Sequence, residues 1–123
     1  MDLHALVVMS THVHMLFNMR FDSENRTIPV RKLTHSIKSY SSHEINKRLG
    51  LEGSVWEDES FDHVVRDQAA FEEKLLYIRM NPVKAAPVKR AEDYKWFWQS
   101  PEAGTGETPV RTKLQRLAAK QKR

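Results

Sequence analysis

The chain has 123 residues, 40% of them apolar, no cysteine, and a formal net charge of +4. That length suits one domain with a modest core, and the missing thiols exclude disulfides and cysteine-based zinc sites, leaving His, Asn, Gln, carboxylate or water to hold any metal. The longest apolar run, Ala5 to Met9, is too short to span a bilayer, and the N-terminus lacks the pattern of a signal peptide, so the expected setting is a reducing cytoplasm with no membrane partner.

The charge is unevenly placed. Residues 1–100 carry 14 basic and 14 acidic side chains, whereas residues 101–123 carry six against two. Basic residues also gather at Arg31, Lys32, Lys38, Lys47 and Arg48, and acids at Glu52, Glu57, Asp58, Glu59 and Asp62. Such segregation fits an anionic partner on selected surfaces, or plain solvated helix faces and a soluble tail.

Asp2 to Met9 reads as a strand, and Ser10-Thr11 joins it to a second strand from His12 to about Phe21, giving a hairpin. Asp22 to Thr27 is polar loop. Pro29 suits the first turn of a helix; Leu33, Ile37, Tyr40, Ile45 and Leu49 recur at helical spacing, and Gly50 stops it. Gly53 to Asp58 and Phe61 to Arg66 read as two short strands with a tight turn between them. Asp67 is a candidate N-cap for a second helix, with Phe71, Leu75 and Ile78 on one face, ending at Asn81-Pro82. Residues 83–100 read as extended or irregular, pinned by Val83, Val88, Tyr94, Trp96, Phe97 and Trp98. Pro101 to Pro109 is linker-like, and Val110, Leu114, Leu117 and Ala118 fit a short basic amphipathic helix or a segment disordered without a partner. The domain expectation is therefore 1–100, with 101–123 a basic linker and tail.

The chemistry centres on His12-Val13-His14. In a strand alternate side chains leave on one face, so both imidazoles project together while Val13, Met15 and Phe17 point to the other side. Two imidazoles on a rigid strand make half of a metal site, or two half-buried structural histidines. On the second helix Tyr77 and Asn81 lie four apart on one face, with Lys74 one turn earlier. Should that face meet the histidines, the amide oxygen of Asn81 completes a three-ligand site suited to Mg²⁺ or Mn²⁺ in a phosphoryl-transfer setting. The phenol, with a reference pKa near ~10, then becomes a nucleophile through the ion and Lys74. The plainer alternative makes Tyr77 a core tyrosine and Asn81 a helix-end residue before proline.

The run Val7-Val8-Met9 with His12-Val13-His14-Met15-Leu16, then Val55-Trp56, Phe61-Asp62-His63-Val64-Val65-Arg66-Asp67, and finally Tyr77-Ile78-Arg79-Met80-Asn81-Pro82-Val83-Lys84-Ala85, resembles the HUH single-tyrosine transposases. Within them it is most similar to the REP-associated tyrosine transposases, over roughly residues 3 to 98. The resemblance implies an α+β fold, a ferredoxin-like antiparallel sheet with helices packed on one face. It implies His12 and His14 as metal ligands, Asn81 as the third, and Tyr77 as the nucleophile forming a 5′-phosphotyrosine link. The implied partner is hairpin-forming single-stranded DNA of palindromic repeats, with Arg31, Lys32, Lys38, Lys74 and the basic tail touching phosphates. Trp56 is divided between stacking on an unpaired base and core packing.

Two departures stand out. Ser10-Thr11 replaces the Pro-Asn usual in that turn, and the chain starts just before the hairpin, so the family's first strand and helix are expected to be missing, leaving an open sheet edge or a cavity. An inactive or domesticated fragment that binds structured single-stranded DNA without cleavage is the alternative, and a small nucleic-acid-binding module with structural histidines a third reading. The motifs do not decide whether the site is completed within one chain or across a homodimer.

Overall fold

The computed structural model describes residues 2–19, 24, 26, 28–85, 88–103 and 112–119, the last group and Glu59 by their backbone alone. The expected end of the second strand at Phe21, most of the loop from Asp22 to Thr27, and residues 104–111 and 120–123 of the linker and tail lie outside the described residues.

Five strands form one antiparallel sheet: β1 (Asp2–Val8), β2 (His12–Asn18), β3 (Trp56–Val65), β4 (Phe97–Gln99) and β5 (Thr112–Ala119), in the spatial order β3-β5-β2-β1-β4. With helices α1 (Val30–Leu49) and α2 (Gln68–Ala85) this is an α+β fold. β1 and β2 form the expected hairpin, pairing Val8 with Val13 and Val7 with His14, and the Met9 N–H donates to the His12 carbonyl at 2.8 Å to close the turn over Ser10-Thr11. β2 is buried on both sides because β1 and β5 flank it and a helix covers each face. Val13, Met15 and Phe17 pack with Leu3, Leu6, Trp56 and the α1 residues Val30, Leu33 and Ile37. Leu16, with Ala5 and Val7, packs with Val65 and the α2 residues Phe71, Leu75 and Ile78. The helices, expected together on one face, thus lie on opposite faces. Period-two alternation of apolar side chains along β2 gives each face something to bury, at about 1.5–3 kcal/mol for each large side chain enclosed.

Local signals set several boundaries. Pro29 stands at the N-cap of α1 with φ −63°, and Gly50 ends the helix at φ 65°, a left-handed conformation that glycine adopts without a Cβ penalty. Asp67 caps α2, its Oδ1 accepting from the Ala70 N–H at 2.8 Å.

Elsewhere tertiary context overrides the local reading. The two strands expected between Gly53 and Arg66 are one strand, β3. Its ladder with β5 runs from Trp56 opposite Ala119 to Val65 opposite Thr112, and the register shift between Trp56 and Ser60 absorbs the irregularity read as a turn. α2 continues through Pro82 to Ala85; the proline is enclosed by the core and sits in the last turn, where few ladder bonds remain to lose. The helix expected around Leu114, Leu117 and Ala118 is instead strand β5, inserted between β2 and β3 and paired with β2 along His12–Asn18. Only the first half of α1 packs on the sheet: Tyr40 and Leu49, expected on its apolar face, are 72% and 65% exposed. Polar contacts fasten the second half. The Trp56 Nε1–H donates to Ser41 Oγ at 2.8 Å, and the Asn46 amide donates to the Gly53 carbonyl at 2.9 Å.

Candidate active site

The alternation that buries Leu16 under α2 turns His12 and His14 to the same face. Their rings meet edge to face, with centroids 4.6 Å apart at 84°. The apolar face of α2, Phe71, Leu75, Ile78 and Pro82, is buried. Tyr77 borders that face, and its ring stands at 89° to His14 with centroids 5.2 Å apart. His12, His14 and Tyr77 therefore form a continuous series of three ring contacts with the most enclosed ring in the middle: His12 is half-buried, His14 is 2% exposed and Tyr77 51%. The Tyr77 ring thus lies beside His14, a contact that the helical and strand spacings left open.

Thr11 joins this group, its Oγ1 lying 3.0 Å from His12 Nδ1. Sequence reading passed over Thr11; its signal is a hydroxyl residue directly before the His-Val-His run. When the ring donates its Nδ1–H to that hydroxyl, Nε2 carries the lone pair, which is how outer hydrogen bonds select the tautomer of a metal-binding histidine.

Lys74, Tyr77 and Asn81 share one groove of about 390 Å³, with Leu76, Met80 and Lys84 also lining it. The Asn81 Nδ2 donates to the Tyr77 carbonyl at 3.0 Å. A carbonyl only accepts, so this bond assigns the amide nitrogen to the helix and leaves Oδ1 as the outward atom. Lys84, two turns after Tyr77, is a second cation in the groove that sequence reading did not single out. Among the described residues no cluster of three His, Cys, Asp or Glu side chains is disposed to hold a metal.

α2 is braced from behind. Arg79 donates Nη1–H to Gln99 Oε1 at 2.8 Å, forms an ion pair with Glu92, and lies over the Phe97 ring at 5.5 Å. The Arg79 Nη2–H donates to Glu92, and this hydrogen bond is the main cause holding the Glu92 carboxyl below its usual range. Tyr94 adds a hydroxyl bond to the Val8 carbonyl at 2.8 Å.

The other basic candidates fall elsewhere. Arg31, Lys32 and Lys38 sit on α1, across the sheet from Tyr77. Lys38 is committed to structure, its ammonium donating to the carbonyls of Glu57 at 2.7 Å and Asp58 at 3.4 Å where β3 bulges from its ladder. Partial burial lowers its pKa against the raising effect of Asp58 and Glu57. Trp56 packs in the core of this face. Among the described residues no helix is long and apolar enough to cross a membrane.

Comparison with known proteins gives one distant relative. A Haemophilus influenzae protein carrying the provisional description REP-associated tyrosine transposase is 23% identical over 100 residues, covering 75% of this chain and 55% of the relative. The chain thus spans little more than half the length of the protein it matches. No family model and no solved structure matches it.

Proposed function

We propose that the chain is a metal-dependent DNA strand transferase of the REP-associated tyrosine transposase type, acting on hairpin-forming single-stranded DNA. The observation that carries this reading is the contact of the Tyr77 ring with His14, itself edge-on to His12. The distant similarity to the Haemophilus influenzae protein supports it independently.

In the proposed reaction the Tyr77 oxygen gives up its proton and attacks a backbone phosphorus. The bond from phosphorus to the 3′ oxygen breaks, leaving a 5′-phosphotyrosine and a free 3′-OH. A second transesterification, by a 3′-OH on the phosphotyrosine, returns the phenol; bond number is conserved, so no nucleotide triphosphate is consumed. His12, His14 and the Asn81 Oδ1 are the donors for Mg²⁺ or Mn²⁺, a set of two nitrogens and one hard oxygen that fits such an ion with positions left open. When bound, the ion polarises the phosphate and offsets the charge of the phenolate. Thr11 holds the His12 ring in its orientation, while Lys74 offers an ammonium to the non-bridging phosphate oxygens from the turn of α2 before Tyr77.

The test is covalent capture. With Mn²⁺ or Mg²⁺ and a hairpin DNA, the wild-type chain should give a denaturation-resistant protein–DNA adduct mapped to Tyr77, and Tyr77→Phe none. An adduct that persists in Tyr77→Phe would remove the tyrosine from the mechanism, and DNA binding without any adduct would favour the binding-only alternative. Mixing Tyr77→Phe with His12→Ala addresses the homodimer: adduct recovered in the mixture means that ligands and nucleophile come from different copies.

A further inference from the structure

The face of the sheet opposite Tyr77 carries a second concavity. α1 and β3 border a cleft of about 570 Å³, within the size range of small-molecule sites of roughly 300–1,000 Å³. Its two walls differ in sign. Arg31 and His35, one turn apart on α1, stand on one; Asp58 and Asp62 stand on the other, on β3. Val30, Thr34 and Ser60 also line it, Lys38 stands on the α1 wall with Arg31, and the Ser60 hydroxyl oxygen is buried with no hydrogen-bond partner among the described residues. The acid wall is held in place: Asp62 stays in the ladder opposite Gln115, and Asp58 falls in the register shift between Trp56 and Ser60, where Lys38 fastens the carbonyls of Glu57 and Asp58. Bulges commonly re-aim side chains toward a site in this way.

We propose that this cleft takes one unpaired guanine of a single-stranded DNA. The proposal rests on the reading of the chain as a single-stranded DNA binder. Guanine alone among the four DNA bases presents two adjacent donors on one edge, N1–H and N2–H, and two adjacent acceptors, O6 and N7, on another. A carboxylate from the acid wall accepts the first pair, and the Arg31 guanidinium fork matches the second. His35 beside Arg31 offers a flat ring to the base face, and the buried Ser60 hydroxyl gains a partner. Thymine puts a carbonyl on each side of its single imino hydrogen, and adenine and cytosine have no imino hydrogen, so each would set an acceptor against a carboxylate. Sequence is read from base edges rather than from phosphates, so a site of this kind would add sequence preference to the phosphate contacts along α2.

The experiment compares a fluorescent oligothymidine with the same strand carrying one central guanine, by anisotropy, on the full chain. The guanine strand should bind roughly five- to one-hundred-fold more tightly, the worth of one bidentate base contact. Replacing that guanine by inosine, which lacks the 2-amino group, should lose much of the gain with the protein unchanged. Arg31→Met and Asp58→Asn, both at exposed positions, should lose the preference. Guanine preference that is absent, or that survives both cleft substitutions, overturns the cleft assignment alone. Failure of both strands to bind overturns the underlying DNA reading and the cleft with it.

Discussion

The two faces of the sheet are built differently. Under α2 the contacts are apolar along the whole of the buried stripe, and the three rings of His12, His14 and Tyr77 stand at its border. Under α1 the apolar contact stops after Ile37, and the rest of the helix is tied to β3 and its approach by single polar bonds from Lys38, Ser41 and Asn46. A site that needs reacting groups held within a fraction of an ångström gains from the first construction, because close-packed side chains leave few alternative rotamers. A cleft that admits a base gains from the second, since polar walls at a bulged strand stay solvated until a ligand arrives.

The largest effects that separate the faces come from truncating their buried anchors. Ile78 and Phe17 are both fully enclosed. Ile78→Ala should cost about 2–5 kcal/mol and Phe17→Ala about 3–5 kcal/mol, measured by urea unfolding. Where both variants remain folded, the adduct yield should fall much further for Ile78→Ala, because it loosens the helix that presents Tyr77. Equal losses of adduct would show that the faces are not mechanically distinct.

A smaller effect sharpens the chemistry of the α2 face alone. Thr11→Val keeps the shape but removes the hydroxyl beside His12 Nδ1. It should weaken Mn²⁺ binding by roughly ten- to one-hundred-fold, the usual cost of losing an outer partner of a metal-bound histidine. Unfolding of the metal-free chain should barely change. Unchanged Mn²⁺ affinity would mean that the threonine only decorates the turn.

How much of this was legible in the sequence follows from which forces act locally. The hairpin, the limits of α1 at Pro29 and Gly50, the Asp67 cap and the common face of His12 and His14 depend on side-chain alternation and capping chemistry, and short windows carry that information. β5 does not: Leu114, Leu117 and Ala118 suit a helix by spacing, and they form a strand because β2 and β3 both offer unpaired backbone to a segment far away in sequence. The same pairing makes one strand of residues 56–65. Side assignment was equally hidden. Helical spacing shows that α1 and α2 each have an apolar stripe but not which face of the sheet each covers, so it does not reveal that Arg31, Lys32 and Lys38 lie across the sheet from Tyr77. At the site, spacing brought Lys74, Tyr77 and Asn81 into one groove, while the bond from the Asn81 amide to the Tyr77 carbonyl depends on a rotamer that no spacing specifies.

The smallest expected effect concerns how α2 is braced. The Arg79 hydrogen bond lowers the Glu92 pKa from an ordinary value near 4.5, so the folded chain holds that proton less tightly than the unfolded chain. Its contribution to stability is therefore present above that ordinary value and is lost as pH falls through the lowered one. Melting curves of wild type and Glu92→Gln should differ slightly at neutral pH and converge in acid. A gap that widens on acidification would reverse the sign.

Convergence of His12, His14 and Tyr77 on one ion is the central claim, and paramagnetic broadening by Mn²⁺ tests it most directly. Titrated into the full chain and followed by NMR, Mn²⁺ should broaden the ring signals of His12, His14 and Tyr77 together, and His14→Ala should abolish the effect at Tyr77. Broadening that centres on Asp58 and Asp62, or that reaches the histidines while Tyr77 stays sharp, would contradict it.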